Sequence, residues 1–231
     1  MSRNARPDST LRVGLFGRGR LASAVVDAAS PVAWQVGRGD TPPPVDACDV
    51  VIDASIGEAV SEHLAWAIEH RVPLVIAATG WTDDALAERV GESTGVLSAP
   101  NGSLTVALMA RLARLLGGYA RTIDGAGGFV LDHHHAAKRD APSGTALRLA
   151  EAFAEGSGDA PSVAAIRAGH EVGRHVVGLD APGEVIELHH RARSRATFAH
   201  GLLAAARWLV GRRGVFTMDD VAAAVLDPLF Y

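Results

Sequence analysis

Fifteen residues near the middle of the chain, 132–146, combine side chains that can transfer protons with a segment that can bind an anion. They include three consecutive histidines and Lys138, and histidine can act as a general acid or base because it titrates near neutral pH. The Ser143-Gly144-Thr145 step precedes a helix-forming run, and unpaired N–H groups at a helix N-terminus bind carboxylates or phosphates. The segment therefore predicts an active site for an acidic substrate.

The three histidines also raise the alternative of a metal site. Neighbouring residues of a strand point to opposite faces, so at most two of His133, His134 and His135 can converge on one ion. The nearby sequence supplies no cysteine and no Glu-x-x-His pattern to complete the ligands. We therefore expect no metal, with one histidine facing a cofactor, Lys138 close to it around the loop, and His133 uninvolved.

A glycine-rich turn near the start of the chain predicts a dinucleotide site. Gly17-Arg18-Gly19-Arg20-Leu21-Ala22 follows a predicted strand, 11–16, and opens a predicted helix, 20–29. Small residues at the first, third and sixth positions allow a tight turn, close approach of a pyrophosphate and close helix packing. The alternative is a glycine turn that serves packing alone.

The end of the second predicted strand bears on which dinucleotide binds. An acid at this place usually contacts the ribose hydroxyls of NADH, whereas a guanidinium favours the 2′-phosphate of NADPH. Arg38 lies here and Asp40 follows it. We expect NADPH to be preferred or at least accepted, with NADH still an option because of Asp40; an exposed loop arginine without a contact is the alternative.

The pattern of strands and helices changes after Asn101. Before it, short apolar runs alternate with helical patterns, which indicates a doubly wound parallel sheet. After it, strand-like runs follow one another with few helices between them, which favours a second, α+β domain with a mostly antiparallel sheet, and the last helices could return to the first domain. The predicted strands are 11–16, 32–36, 50–54, 72–77, 95–99, 127–131, 163–168, 175–179 and 184–188, and the predicted helices include 104–116, 198–210 and 219–226.

Composition excludes several classes of protein. With 231 residues, 48% of them hydrophobic, the chain can form one large or two small domains. A net charge of −4 argues against a dedicated nucleic-acid-binding protein, and the longest apolar stretch, 104–116, contains two arginines, so no membrane span is expected. A single cysteine, Cys48, and the lack of an apolar run in 1–10 lead us to expect the cytoplasm.

A second group of cationic residues lies in the C-terminal half, interleaved with acids. We expect much of it to be solvated surface or a subunit interface. Arg195, at the start of a helix, is the best candidate in it for touching substrate. The group comprises Arg167, His170, Arg174, His175, His189, His190, Arg191, Arg193 and Arg195.

From about Leu11 to Val221 the sequence resembles the 4-hydroxy-tetrahydrodipicolinate reductases (dihydrodipicolinate reductases) of bacterial lysine and diaminopimelate synthesis. The family's His-His-x-x-Lys-x-Asp-Ala-Pro-Ser-Gly-Thr-Ala run is matched by 134–146. Shorter matches are Asp53-Ala54-Ser55, Ala78-Thr79-Gly80, Ala99-Pro100-Asn101, Ile166-Arg167-Ala168-Gly169, Gly173-Arg174-His175 and 184–208.

The resemblance implies NAD(P)H-dependent reduction of a small cyclic dicarboxylate by a chain with two domains. A Rossmann dinucleotide-binding domain, 1–102 with 204–231, would accompany an α+β sheet domain, 103–203, that binds substrate and assembles homotetramers. Since cofactor and substrate would bind to different domains, a closing motion is expected. Neither nucleic acid nor a membrane is an expected partner.

The resemblance also assigns roles to individual residues. The proton donor/acceptor falls on His134, the second proton donor on Lys138, and substrate binding on His135, Ser143, Gly144 and Thr145. The dinucleotide contacts fall on Gly17, Arg18, Gly19, Arg20, Leu21, Ala22, Ala77, Ala78, Thr79, Ala99, Pro100, Asn101 and Gly102.

The sequence departs from the family's pattern at several positions. The glycine turn is shorter and ends at Ala22, Ala54 replaces a phenylalanine, Ala78 a threonine, Gly102 an aromatic residue and Asp132 a glutamate. We expect all of them to lie near the cofactor, so the choice between NADH and NADPH stays open.

Two other functions remain as alternatives. One is an amino-acid dehydrogenase of similar two-domain shape that acts on aspartate or diaminopimelate. The other is a catalytically silent dinucleotide sensor, against which His134, His135 and Lys138 argue, because a binding module needs no proton donor.

Overall fold

The computed structural model describes residues 11–29, 32–41 and 47–229. The segment 1–10, on which part of the expected location rests, lies outside these residues. The chain divides into two compact units. The first unit holds the described residues up to Leu104 together with those from Arg195 onward, and the second unit is Thr105–Ser194.

A parallel sheet forms the centre of the first unit. Its strands are β1 (Val13–Phe16), β2 (Val32–Val36), β3 (Val50–Asp53), β4 (Leu74–Ile76), β5 (Gly95–Ser98) and β10 (Gly214–Thr217). They lie in the order β10-β5-β4-β3-β1-β2, and every pairing is parallel. The order reverses between β1 and β3, and ligands bind outside the carboxyl ends of strands at such a point.

Helices cover both faces of this sheet. They are α1 (Arg20–Ala28), α2 (Val60–His70), α3 (Leu86–Val90), α6 (Ala196–Leu209) and α7 (Met218–Leu226), with short 3-10 helices at Gly57–Ala59 and Asp227–Leu229. Alternate strand residues point to opposite sides, so that Leu15 and Ile52 pack with α1 and α6 while Phe16 and Val51 pack with α2. The central strands β1 and β3 are therefore buried along their whole length, as expected for a sheet covered on both faces.

The structure confirms the α/β class and adds a sixth strand to the five predicted ones. β10 pairs with β5 along Gly214–Thr217. The boundary between the two units also differs from our expectation. We expected the chain to return to the first domain at residue 204, whereas it returns at Arg195. All of α6 belongs to the first unit because Ala199, Leu202 and Leu203 are buried in its core.

The second unit is a four-stranded sheet with two helices. Its elements are α4 (Leu104–Ala120), which starts at the unit boundary, β6 (Gly127–His134), α5 (Gly144–Ser157), β7 (Ser162–Arg167), β8 (Arg174–Ala181) and β9 (Glu184–Arg191). The order is β7-β6-β8-β9. The prediction of a mostly antiparallel sheet holds for β8 and β9, but β7 runs parallel to β6, so the sheet is mixed.

One face of this sheet is covered by α4 and α5, and we call the other the open face. Val130 and Val177 lie on the covered face and pack with Leu149 and Phe153 of α5. β6 continues beyond its predicted end at residue 131 as far as His134. This extension carries the histidine segment onto the end of the sheet.

Two glycines let α4 and α5 approach until their backbones touch. A Cβ at Gly117 would overlap the carbonyl oxygen of Phe153, and one at Gly156 would overlap that of Arg114. The neighbouring Gly118 has nothing within 4 Å of the same position.

Among the described helices, none combines the length and the apolar character that crossing a membrane requires.

Substituting the two adjacent glycines of α4 tests this packing. Gly117→Ala should lower the free energy of unfolding by about 1–3 kcal/mol, because the methyl group overlaps α5. Gly118→Ala, in the same helix with open space around it, should raise it by about 0.5–1 kcal/mol. Urea denaturation of both variants measures the difference, and equal effects would contradict the close approach.

Candidate active site

The carboxylate of Asp132 lies at the centre of the predicted catalytic segment. It is fully buried on the covered face and accepts hydrogen bonds from the Ser143 hydroxyl (2.9 Å), the Ser143 amide (2.8 Å) and the Arg167 guanidinium (2.7 Å). His134 places Nδ1 2.9 Å from Asp132 Oδ1, and His175 places Nε2 3.5 Å from that oxygen. The strand period of two brings Asp132 and His134 to the same face.

The charges in this cluster shift the protonation of its members. Burial acts to raise the pKa of Asp132, but hydrogen bonds from Arg167 and Ser143 outweigh it and hold that pKa below its ordinary value. Burial lowers the pKa of His134; the charge of Asp132 opposes this shift, whereas Lys138 and Arg167 add to it. Asp132 is therefore a carboxylate at neutral pH, and His134 is mostly neutral.

The second nitrogen of His134 lies beside Gly173. A Cβ at that position would be 3.1 Å from Nε2, closer than ordinary van der Waals contact. Because Nδ1 faces Asp132, Nε2 is the atom through which His134 can exchange a proton with a ligand. The glycine leaves room beside it.

His175, which we expected only among the surface cations, is buried beside Asp132 and His134. Its ring packs edge-on against that of His134, with centroids 5.2 Å apart, and its Nδ1 lies 3.5 Å from Nδ1 of His190. Burial, followed by the positive charge of His134, lowers the pKa of His175 to about 4. His175 thus stays neutral near pH 7, so that His134 can take up a proton without a second positive charge beside it. The register that pairs Asp132 with His175 across β6 and β8 could not be read from the sequence.

Lys138 lies in the turn that follows β6. Its ammonium group is 2.7 Å from Asp140 Oδ1, and this hydrogen bond lowers the pKa of Asp140. Arg167, while bonded to Asp132, also donates to the carbonyl oxygen of Asp140 (2.6 Å). The turn that carries Lys138 is therefore tied to the buried carboxylate through Arg167.

Ser143 differs from the expectation that it offers donors to a substrate. It is the N-cap of α5, with its hydroxyl oxygen accepting from the Ala146 amide, and it is buried. Both its amide and its hydroxyl donate to Asp132. Gly144, which is exposed, and Thr145, which is half-buried, form the start of the helix next to it.

The three histidines separate as strand alternation predicts. His133 lies on the open face with Nε2 3.2 Å from the Ala168 carbonyl oxygen, away from His134. His135 follows the end of the strand, where its amide donates to the Glu171 carbonyl (2.7 Å).

Asp132, His134 and His175 also place one donor atom each within 4.8 Å of one another. The sequence offered no third ligand, and His175 supplies one. However, Ser143 and Arg167 already satisfy the oxygens of Asp132, and a cation would have to bind beside the Arg167 guanidinium. The arrangement satisfies its buried charge without a metal ion.

In the first unit, a cavity of about 820 Å³ opens at the carboxyl ends of β1 and β2. Gly17 has φ of 109°, and a Cβ there would be 2.6 Å from the Ala54 carbonyl oxygen, so only glycine fits. Gly19 is the N-cap of α1, with no side-chain cap and nothing within 4 Å of a Cβ position. A bare backbone at an uncapped helix N-terminus fits a pyrophosphate. Arg20, Leu21 and Ala22 form the first turn of that helix.

Asp40 and Arg18 pair at the edge of this cavity. Asp40 accepts hydrogen bonds from the Gly37 amide (2.8 Å) and the Arg18 guanidinium (2.7 Å), and these lower its pKa. Arg38 is exposed in the turn between Gly37 and Asp40. The cavity edge therefore carries two guanidinium groups, one of which is neutralised by Asp40.

The other predicted dinucleotide residues follow β4 and β5 at the same edge of the sheet. Ala77, Ala78 and Ala99 are buried, Thr79 and Pro100 are exposed, and the Asn101 side chain accepts from the Ser103 amide. Gly102 stands where the family has an aromatic residue. A Cβ at this position would be only 2.7 Å from Leu202 of α6, so the packing here favours glycine.

Asp53, at the end of β3, holds a side chain that we did not predict. His63 of α2 places Nδ1 2.8 Å from Asp53 Oδ2 and stacks on Phe16 with centroids 3.9 Å apart. The Ser55 hydroxyl donates to the other oxygen of Asp53 (2.5 Å). These contacts fix the loop against which Gly17 packs.

Arg195 lies in the first unit, at the N-cap of α6. Burial, and then the positive charge of Arg20, lower the pKa of Arg195. It is therefore placed with the residues of the glycine turn.

Comparison with protein families gives two adjoining matches. Residues 22–102 match the model described as dihydrodipicolinate reductase, N-terminus, and residues 103–222 match the one described as dihydrodipicolinate reductase, C-terminus. The chain belongs to the dihydrodipicolinate reductase family. The resemblance found in the sequence is thereby confirmed.

Individual relatives agree with this family. The chain is 39% identical to a 4-hydroxy-tetrahydrodipicolinate reductase of Campylobacter concisus over 76% of both chains. It is 34% identical to one of Zymomonas mobilis over 93% of this chain and 98% of the relative. A dipicolinate-bound dihydrodipicolinate reductase from Paenisporosarcina sp. TG-14 has the same fold, with a TM-score of 0.76 at 20% identity over 90% of this chain and 98% of that one.

The dihydrodipicolinate reductase pattern also allows one departure to be placed. We expected Asp132, which replaces the usual glutamate, to lie near the cofactor together with the other departures. It lies in the second unit and contacts the proposed proton donor, whereas Ala22, Ala54, Ala78 and Gly102 lie in the first unit.

His175 should make stability depend on pH. Below pH 6.5 the unfolded chain binds a proton on this residue that the folded chain takes up only near pH 4, so the free energy of unfolding falls by up to about 3 kcal/mol across that window. His175→Gln should remove this part of the dependence, and His200→Gln, at an exposed position, should retain it. Urea denaturation at pH 7 and pH 5 measures both; parallel losses in the wild type and His175→Gln would show that His175 is not held neutral.

Proposed function

We propose that the chain catalyses the NAD(P)H-dependent reduction of 4-hydroxy-tetrahydrodipicolinate to tetrahydrodipicolinate in lysine and diaminopimelate synthesis. The observation that carries this proposal is the His134 imidazole, buried against Asp132 beside the N-terminus of α5. The names of the relatives and the dipicolinate bound to the related structure support the substrate. The family matches favour this reaction over the amino-acid dehydrogenase and silent sensor alternatives.

The reaction divides between the dinucleotide and the chain's own residues. Loss of the 4-hydroxyl group of the substrate as water would give a conjugated ring, and a dinucleotide held by residues 17–22, 77–79 and 99–102 would supply a hydride to it. The enamine carbon then takes a proton from Nε2 of the protonated fraction of His134, or from the Lys138 ammonium group, which completes the addition of two hydrogens. General acid catalysis of this kind contributes about 10²–10⁴-fold.

The substrate carboxylates have complementary partners in the second unit. Gly144 and Thr145 at the start of α5 would bind one carboxylate through N–H groups and the helix dipole, with His135 and Lys138 nearby. Ser143 serves this site indirectly, because its donors hold Asp132.

For the cofactor we propose that both NADPH and NADH bind in the first unit. The residues 17–22, 77–79 and 99–102 would hold the dinucleotide at the carboxyl edge of the sheet. Arg38 supports the 2′-phosphate of NADPH, while Asp40 neutralises Arg18 and reduces the charge available for it.

The histidine segment provides the test of the reaction. Purified protein, supplied with the product of dihydrodipicolinate synthase and with NADH and NADPH in parallel, should oxidise the nicotinamide. His134→Gln should lower kcat by about 10²–10⁴-fold with little change in dinucleotide affinity, because only the proton donor is lost. The control is His133→Gln, on the opposite face of the strand, which should retain activity. An unchanged kcat in His134→Gln would remove this residue from the chemistry.

We further propose a cytoplasmic homotetramer. A single cysteine, Cys48, suits a reducing compartment. The open face of the second unit exposes Leu131 (38%), Ile166 (50%) and Val185 (53%), which would be buried by another copy of the chain.

Sedimentation tests the assembly. The wild type should have four times the chain mass of 24.0 kDa, and Ile166→Asp should shift it to smaller species by placing a charge on the open face. Leu147→Asp, an exposed position on α5, is the control. A monomeric wild type would refute the tetramer.

A further inference from the structure

Asp132 is the residue in which the contacts of the second unit converge. Its Oδ1 meets the Ser143 hydroxyl, His134 and His175, and its Oδ2 meets the Ser143 amide and Arg167. These partners belong to the end of β6, the N-cap of α5, β7 and β8. A single buried carboxylate thus joins three strands of the sheet to the N-terminus of α5.

We propose that Asp132 is the positioning residue of this enzyme: its carboxylate fixes the His134 imidazole and the first turn of α5 relative to each other, so that proton donor and carboxylate site act as one rigid group. The inference rests on the proposed function. Asp132 itself is fully buried, so we assign it no direct contact with substrate.

The orientation of His134 follows from this contact. Nδ1 lies 2.9 Å from Oδ1 as a close charge contact without hydrogen-bond alignment, and Nε2 lies on the other side of the ring, beside Gly173. In catalytic groups of this type, a buried acid behind an imidazole sets its tautomer and stabilises its protonated form.

The position of the carboxylate site follows from the Ser143 contacts. Its amide and hydroxyl bind different oxygens of Asp132, so the N-cap of α5 cannot rotate without breaking both hydrogen bonds. Arg167, which is bound to Asp132, also donates to the Asp140 carbonyl oxygen and so restrains the turn that carries Lys138.

The charged and titratable groups around Asp132 define its effect on pH dependence. They are His134 on its own strand, Arg167 on β7, His175 on β8, His190 beside it on β9, and Lys138 with Asp140 in the turn. Asp132 is the only carboxylate among these described residues in direct contact with His134, and it favours the protonated imidazole. One limb of the profile of kcat against pH should report the titration of His134, and we call it the His134 limb. Loss of the Asp132 charge should therefore move this limb to lower pH.

Three variants and a control test the proposal. Asp132→Asn keeps the shape but loses the charge, and we expect kcat to fall about 10- to 100-fold, KM for the substrate to rise, KM for the dinucleotide to stay constant and the His134 limb to move to lower pH. Asp132→Glu restores a carboxylate and should recover most of kcat and the original limb. Asp159→Asn makes the same change at an exposed position after α5 and should leave all constants unchanged.

A double-mutant cycle separates positioning from a general loss of structure. In a His134→Gln background, Asp132→Asn should lower kcat by less than about threefold, because the imidazole through which it acts on kcat is already absent, whereas the rise in KM for the substrate, which acts through Ser143, should persist. A full additional loss of 10-fold or more would overturn the proposal, as would Asp132→Asn with wild-type kcat, KM and pH profile.

Ser143→Ala keeps the test decisive if Asp132→Asn does not fold. It cuts one link between Asp132 and α5 while the contact with His134 remains, so KM for the substrate should rise and the His134 limb should stay in place. A shifted limb with an unchanged KM would overturn the proposal. Wild-type protein that reduces the substrate with neither dinucleotide would instead reject the proposed function itself.

Discussion

The second unit depends on keeping one negative charge buried. Removing a carboxylate from water costs several kcal/mol unless hydrogen bonds and opposite charge replace the solvent. At Asp132 the replacement comes from Arg167 and from both donors of Ser143, with His134 and His175 close by. Each of these partners is thereby held in one place, so the requirement to satisfy the charge also organises the site.

The first unit depends instead on a close approach between two stretches of backbone. Its glycine turn packs against the Ala54 carbonyl at the point where strand order reverses, and the contacts among Asp53, His63 and Phe16 keep that carbonyl in position. The result is an open stretch of backbone N–H groups with few side chains around it. Positive charge is added at the rim by Arg18 and Arg38 and moderated by Asp40.

Periodicity and motif spacing were enough to predict the α/β class, the strands of the first unit and the separation of His133 from His134, because these depend on neighbours in the sequence. They did not predict β10, since a four-residue strand at a sheet edge has a weak pattern. The contacts of His175 and Arg167 with Asp132 also escaped prediction, because they depend on strand register between segments more than thirty residues apart. We expected Ser143 to face a ligand. Its amide and hydroxyl instead donate to the Asp132 carboxylate, an acceptor that the sequence does not place beside it.

The pairing of β5 with β10 has a consequence for how the protein is made. The two strands are neighbours in the sheet, but the entire second unit is encoded between them. On the ribosome, the second unit emerges as one continuous segment and can finish its sheet while Val96 and Leu97, later fully buried, still form an unpaired edge. That edge has no strand partner until the second unit and α6 have both been made, so it needs protection during translation.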